Sequence, residues 1–116
     1  MKKKLLTFLC ILAMSASVAM ANSENTTNSL VGAIKLYKAG NYSECYTILE
    51  TVLKNDPANA LAYYYMGMTA TQIGRKDEAI SNYEKAIALS TKGNNLERYA
   101  KKGKRCNESP DKCEQT

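Results

Sequence analysis

The 116-residue chain contains no histidine. Histidine is the commonest general base near neutral pH and the commonest metal ligand, so its absence also removes the usual activator of a cysteine nucleophile. The sequence has no Cys-x-x-Cys pair that would suggest a zinc or redox site, and no glycine-rich loop that could cradle a phosphate. These absences predict a protein that is not an enzyme and that needs no cofactor or metal.

The first 21 residues are typical of an export signal. Three lysines follow Met1, residues 5–18 are mostly apolar, and small residues at positions 19–21 provide a cleavage point. We expect this signal peptide, residues 1–21, to be cleaved before Asn22, which predicts a periplasmic or secreted protein of a bacterial envelope. An uncleaved N-terminal membrane anchor is the alternative. Cleavage would remove three lysines and no acidic residue, so the net charge of +5 overstates how basic the mature protein is.

Five helices are predicted in the remainder, because apolar residues recur at helical intervals between breaks that contain glycine, asparagine or proline. They cover about residues 29–38, 42–55, 60–73, 76–89 and 96–104. Polar side chains can accept hydrogen bonds from the first amides of a helix, and the candidate N-caps are Ser29, Asn41 or Ser43, and Asn95. Residues 22–28 are polar and are predicted to form a flexible leader. The rest suffices for one small domain, residues 29–105.

Two parts of the chain repeat at a step of 34 residues. The residues related by this step are Gly40 and Gly74, Glu44 and Glu78, and Glu50 and Glu84. Thirty-four residues is the length of one tetratricopeptide unit, which is a helix, a turn and a second helix. Glycine suits the left-handed residue that ends the first helix of each pair. The period therefore predicts two helical units, about residues 26–59 and 60–93.

The second unit resembles a tetratricopeptide repeat in residue type as well as in length. The residues at the family's core positions are Tyr63, Met66, Gly67, Ala79, Tyr83 and Ala86. The first unit matches less well, because it has Ser29 at an aromatic position and Cys45 where alanine is usual. The resemblance implies an all-α fold of two repeats with the helix over 96–104 as a cap, in a short right-handed α-solenoid.

The resemblance also implies a binding surface, because the family binds its partners in the concave groove lined by the first helix of each unit. The matching residues are Thr27, Leu30, Ile34, Tyr37 and Lys38 in the first unit and Leu61, Tyr64, Met68, Thr71 and Gln72 in the second. This lining is mainly apolar and aromatic, so it favours a peptide with apolar side chains over a C-terminal carboxylate. Packing of the same face against the leader or a second copy of the chain is the alternative.

A basic segment lies in and beyond the predicted cap. It consists of Arg98, Lys101, Lys102, Lys104 and Arg105. It is a candidate contact for anionic lipid or cell-wall polymer, and the alternative is a solvated helix face with its cations near a helix C-terminus. Nucleic acid is not an expected partner of an exported protein.

Three cysteines remain after the predicted cleavage: Cys45, Cys106 and Cys113. A bridge between Cys106 and Cys113 is favoured in the tail over residues 106–116, because Pro110 bends the chain between them. The alternatives are a bridge from Cys45 to one of the tail cysteines and three unpaired thiols. Cys45 occupies a small position of the first repeat, which favours a buried core role.

These patterns together predict a non-enzymatic scaffold of the bacterial envelope that binds a protein or peptide through the groove. Two other functions stay open at this point. One is binding of anionic lipid or cell-wall polymer through the basic segment, and the other is self-association as a structural subunit or homo-oligomer.

Overall fold

The computed structural model describes residues 29–113, and these residues form five α-helices and no strand. The helices are α1 over residues 29–38, α2 (Tyr42–Asn55), α3 (Ala60–Gln72), α4 (Lys76–Leu89) and α5 (Asn95–Glu108), and a short 3-10 helix, Pro110–Lys112, follows. The predicted all-α repeat fold is confirmed. The predicted signal peptide, the leader and Thr27 lie outside the described residues. None of the helices within residues 29–113 has the length and apolar character needed to span a bilayer.

The 34-residue step of the sequence is also the step between two equivalent turns. Gly40 and Gly74 have φ angles of 82° and 79°, in the left-handed region that side chains other than glycine rarely adopt. The amide after each glycine donates back across the turn, from Asn41 to the Leu36 carbonyl and from Arg75 to the Ala70 carbonyl, both at 2.9 Å. Each helix pair is therefore closed by the same glycine-dependent cap.

The bounds of α2 and α4 agree with the predictions, and the predicted N-caps differ from the structure at three places. Residue 29 is already helical, so Ser29 does not act as an N-cap. Asn41 precedes α2, but no side-chain hydrogen bond caps that helix. The cap of α5 is Asn94 rather than Asn95, and its side chain accepts from the Glu97 amide at 2.8 Å. α3 has a cap of the same kind, because Asn59 accepts from the Ala62 amide at 3.0 Å.

The apolar interior consists of two clusters that share α3. The first joins α1, α2 and α3 and contains Ala33, Cys45, Leu49, Val52, Ala62 and Met66. The second joins α3, α4 and α5 and contains Ala70, Ala79, Tyr83, Ala86 and Ala100. Because α3 packs on both sides, it needs apolar residues around most of its circumference, as its sequence shows. α5 completes the second cluster through Ala100, so it packs as a cap.

Five of the six residues at the repeat-core positions lie in the interior of the domain. Met66, Gly67, Ala79, Tyr83 and Ala86 are buried. The sixth, Tyr63, is half-buried against the second cluster, and the amine of Lys85 lies 5.4 Å from the centre of its ring.

Tyr83 lies between two helix backbones at positions that only glycine fits. A Cβ atom at Gly67 in α3 would lie 2.9 Å from two carbons of the Tyr83 ring. A Cβ atom at Gly103 in α5 would lie 2.7 Å from Cε1 and 2.8 Å from the hydroxyl oxygen of the same ring. The tyrosine ring therefore packs directly against the backbones of both α3 and α5, which brings α3, α4 and α5 together at one residue.

The three described cysteines divide into one bridge and one buried thiol. A disulfide joins Cys106 to Cys113, with their Cα atoms 4.5 Å apart. α5 continues through Cys106 to Glu108, so the predicted tail boundary at residue 106 falls inside the helix. Cys45 has no accessible surface, and its thiol donates to the Ala33 carbonyl at 3.2 Å. The thiol thus fills a core position and links α2 to α1.

We expect the Cys45 thiol to resist alkylation in the native protein and to react fully in denaturant, because folding removes it from solvent. Treatment with iodoacetamide followed by non-reducing peptide mapping measures both states. The peptides that contain Cys106 and Cys113 provide the internal control, since they should be recovered linked in either condition. Alkylation of Cys45 without denaturant, or its recovery in a disulfide, would contradict this arrangement.

Candidate peptide-binding groove

A row of tyrosine rings runs from the start of α2 over α1 and α3 to α4. The ring centres are 5.3 Å apart for Tyr42 and Tyr37, 5.8 Å for Tyr37 and Tyr65, 5.8 Å for Tyr65 and Tyr64, and 6.0 Å for Tyr64 and Tyr83. These separations lie in the range of about 4.5–7 Å in which aromatic rings attract one another. We call this set the tyrosine row. It connects the two core clusters, because its members pack on both.

The described residues predicted to line the groove divide between half-buried and exposed side chains. Leu30, Ile34, Tyr37, Tyr64 and Met68 are half-buried, and Lys38, Leu61, Thr71 and Gln72 are exposed. Leu30 and Tyr37 pack against the first core cluster, and Tyr64 and Met68 against the second. These side chains therefore stabilise the fold as well as forming the predicted lining.

Leu61 is the groove position with the clearest exposed apolar surface. Its side chain is 39% exposed, and it belongs to neither core cluster. It lies at the start of α3, three residues before Tyr64 and on the same helix face. Leu61 is therefore the residue at which the groove can be altered with the least effect on packing.

Thr71 has a structural partner that the sequence did not suggest. Its hydroxyl donates to the Gly67 carbonyl at 2.9 Å and accepts from the Asn107 side-chain amide at 3.0 Å. Asn107 also donates to the Gly103 carbonyl at 2.9 Å, and it is buried. Thr71 consequently joins α3 to α5, and its hydroxyl is already occupied.

Three members of the tyrosine row, Tyr37, Tyr64 and Tyr83, have raised pKa values. Burial raises the pKa of Tyr37, although a hydrogen bond with the Gln72 side chain partly offsets this. Burial also raises the pKa of Tyr64 and raises that of Tyr83 to about 12. These three phenols therefore remain protonated near neutral pH, and a phenol hydroxyl can donate a hydrogen bond beside its apolar ring face.

A polar contact on the second helices joins the two repeats away from the row. The Tyr46 hydroxyl in α2 donates to Glu78 Oε2 in α4 at 2.7 Å. The guanidinium of Arg75 lies 4.8 Å from the centre of the Tyr46 ring and pairs with Glu78 at 3.6 Å. The hydrogen bond to the carboxylate is the main cause that raises the pKa of Tyr46. Tyr46 and Glu78 are 32 positions apart across a repeat boundary, so no local pattern indicates the contact.

The predicted basic segment separates into paired and unpaired cations. Lys101 pairs with Glu97, and Lys104 pairs with Glu84 at 3.3 Å and Glu108 at 3.6 Å. Arg98, Lys102 and Arg105 form no ion pair with any residue between 29 and 113. Their spacing of four and then three residues places them on one side of α5. We call these three residues the basic stripe.

An open depression lies at the turn between α1 and α2. It is lined by residues 40–44, and one of these, Tyr42, is the first ring of the tyrosine row. Across the described part of the chain, no three acidic or cysteine side chains lie close enough together to hold a metal ion. The chemistry that these surfaces support is therefore apolar contact, hydrogen bonding by phenols, and attraction of negative charge by α5.

The family model described as "Anaphase-promoting complex, cyclosome, subunit 3" matches residues 7–86 of the chain. The match ends at Ala86, within α4, and so covers the first unit and most of the second. Searches of curated proteins and of solved structures found no match. Repeats of this tetratricopeptide-like type generally serve as non-enzymatic scaffolds for contacts between proteins. On this match and this fold, the chain belongs to that family of tetratricopeptide-like repeat proteins.

Proposed function

We propose that the protein is a non-enzymatic scaffold that binds a protein or peptide segment along its tyrosine-lined groove. The observation that carries this proposal is the composition of the nine described groove positions, of which Lys38 is the one with a formal charge. Six of the nine are apolar or aromatic, and Leu61 among them has 39% of its surface exposed. An apolar face of this kind favours a partner segment with its own apolar side chains.

The half-buried tyrosines suit such a role because they are already held in place. Tyr37 and Tyr64 each contact Tyr65, and Tyr64 also contacts Tyr83. A partner that packs on these rings would order few additional side chains, which lowers the entropic cost of binding. Met68 beside them is unbranched and adapts to different apolar shapes.

We propose the bacterial envelope as the compartment. The support is the composition of residues 1–21 together with the disulfide between Cys106 and Cys113, since such bridges persist in oxidising compartments. A form that keeps residues 1–21 as an anchor would present the same groove at the membrane surface.

We expect Leu61→Glu to weaken partner binding by roughly tenfold or more, because it puts an unpaired carboxylate into an apolar contact. The matched control is Leu89→Glu, since Leu89 is 43% exposed but lies at the end of α4, outside the groove. Proteins captured from an envelope extract by the wild-type chain should be retained by Leu89→Glu and lost with Leu61→Glu. The binding of each recovered protein is then measured by calorimetry.

These variants are preferable to alanine substitutions at Tyr64 and Met68, which pack on the second core cluster and would disturb the fold. Equal capture by wild type and Leu61→Glu would show that the groove is not the binding surface.

Two other functions are proposed as alternatives, and each predicts a different experimental result. Binding of anionic lipid or polymer through α5 would disappear at high salt and survive Leu61→Glu. The three cations of the basic stripe are the observation that favours it. Self-association through the groove would appear as a concentration-dependent mass in sedimentation that Leu61→Glu reduces.

A further inference from the structure

The tyrosine-lined surface continues onto α5 through a residue outside the predicted groove. Tyr99 is 59% exposed and belongs to neither core cluster. Tyr99 lies one helical turn before Gly103 on α5, and the backbone at Gly103 packs on the ring of Tyr83, the last member of the tyrosine row. An aromatic ring with this much exposed surface, on the helix that packs against the end of the tyrosine row, extends the apolar face of α3 onto α5.

The basic stripe lies next to this ring. Lys102 follows Tyr99 by three residues and Arg98 by four, so it is the helical neighbour of both. The acidic residues of α5 do not neutralise the stripe. Glu97 is buried, pairs with Lys101 and accepts from the Gly93 amide at 2.6 Å, and Glu108 pairs with Lys104. The cations of the stripe are therefore available to an outside acidic group.

The charges along the whole surface have one sign. The described groove positions include Lys38 and no acidic residue, and α5 adds the basic stripe beside Tyr99. A partner with positive charge would be repelled along this surface, and an apolar partner without charge would leave the stripe unused. Charge complementarity therefore favours a partner that is both apolar and acidic.

Resting on the function proposed above, we propose that the groove accepts an acidic peptide segment, with an apolar anchor against Tyr64 and Tyr99 and carboxylates against the basic stripe. The carboxylates belong to side chains within the segment. The stripe is small for an anionic membrane, since polybasic lipid-binding clusters have about four to eight cations. Three cations beside an exposed ring are better matched to a short peptide.

The test selects peptides from a random twelve-residue display library on the full-length protein. The enriched peptides should combine aspartate or glutamate with an aromatic or aliphatic residue. One enriched peptide is then synthesised, and its affinity is measured for wild type and for the triple variant Arg98→Glu, Lys102→Glu, Arg105→Glu. We expect a loss of roughly tenfold for the triple variant, because each exposed ion pair contributes modestly, and a similar loss at high salt.

The matched control reverses three exposed lysines that form no ion pair within residues 29–113: Lys54→Glu, Lys76→Glu and Lys92→Glu. It changes the net charge equally, so it should bind the peptide nearly as well as wild type. Tyr99→Ala should weaken binding without unfolding, because most of that ring is exposed. Circular dichroism of each variant checks the fold.

The outcomes separate this inference from the function on which it rests. Enriched peptides without an excess of acidic residues, bound equally by the triple variant and lost with Leu61→Glu, would overturn the acidic specificity and leave the groove in place. A library that yields no peptide sensitive to Leu61→Glu would overturn both. Stripe-dependent binding to phosphatidylglycerol vesicles, with no such dependence for any peptide, would assign the stripe to lipid and overturn the inference.

Discussion

Replacing Gly103 with alanine is expected to lower the free energy of unfolding by about 2 kcal/mol, because overpacking a core costs about 1–3 kcal/mol. The new methyl group would overlap the Tyr83 ring, with 2.7 Å to Cε1 and 2.8 Å to the hydroxyl oxygen. The ring has little room to move away, because the backbone at Gly67 is also close to it, with 2.9 Å from a Cβ placed there to Cε1. α5 must therefore move away from α4. Urea unfolding followed by circular dichroism measures the change.

The matched control for this prediction is Gly32→Ala in α1. No atom lies within 4 Å of a Cβ placed at Gly32, so nothing opposes the methyl group there. Alanine is a better helix former than glycine by up to about 1 kcal/mol, and we expect this variant to be as stable as wild type or more stable. Replacing glycine by alanine should thus lower the free energy of unfolding at position 103 and leave it unchanged or raise it at position 32. A Gly103→Ala protein as stable as wild type would show that the close packing of α5 on Tyr83 is absent in solution.

The second large effect is a loss of stability in alkali that depends on Tyr83. Burial raises the pKa of this phenol from the usual 10.0 to about 12. Because the folded pKa is above the unfolded one, folding favours the protonated phenol. Its contribution is complete below about pH 10 and is lost as the pH rises towards about 12. A shift of this size corresponds to roughly 2–3 kcal/mol.

Tyr83→Phe removes the titrating group and keeps the ring. We expect the free energy of unfolding of this variant to fall less steeply than that of wild type between about pH 10 and pH 12. Tyr37, Tyr46 and Tyr64 also have raised pKa values, so part of the alkaline loss should remain. Tyr99→Phe controls for the loss of a hydroxyl at the surface, since that ring is 59% exposed. Identical pH profiles for wild type and Tyr83→Phe would contradict the buried phenol.

The helices of the two repeats could be predicted because their signals are local. Gly40 and Gly74 mark turns that glycine stabilises, and the apolar spacing between them has the helical period. The limits of α2 and α4 agree with the sequence predictions as a result. The 34-residue register also assigns the core positions from Met66 to Ala86. It can do so because each position of a repeat packs against the same neighbouring position in every unit.

The length of α5 could not be predicted, because its last turn depends on distant residues. After Ala100 the helix contains lysines, an arginine, a glycine and an asparagine, with no apolar period to follow. What fixes this part is packing of Gly103 on Tyr83 and the hydrogen bonds from Asn107 to Thr71 and to the Gly103 carbonyl. Glycine by itself lowers helix propensity, so local reasoning ends the helix too early.

The sequence predicts which residues line the candidate groove, but it does not predict how far each side chain is buried. Register alone named Tyr37 and Tyr64, but their half-burial depends on Tyr65, which bridges the two rings. Neither Tyr65 nor Tyr99 stands at one of the positions carried over from the family. Tyr65 is visible in the sequence as an aromatic residue of α3 and Tyr99 as one of α5, yet their surroundings depend on how the helices pack together. That a ligand contacts this surface remains a prediction.

The sharing of α3 between the two core clusters has a consequence for cooperativity. In longer solenoids each unit contacts its neighbours alone, and the ends can fray while the middle stays folded. Here Ala62 and Met66 of α3 support one cluster, and Ala70 of the same helix supports the other. Unfolding of α3 would disrupt both core clusters. The domain therefore has no internal boundary at which one repeat could unfold while the other stays folded. A ligand that binds along α3 would therefore raise the melting temperature of the whole domain through mass action.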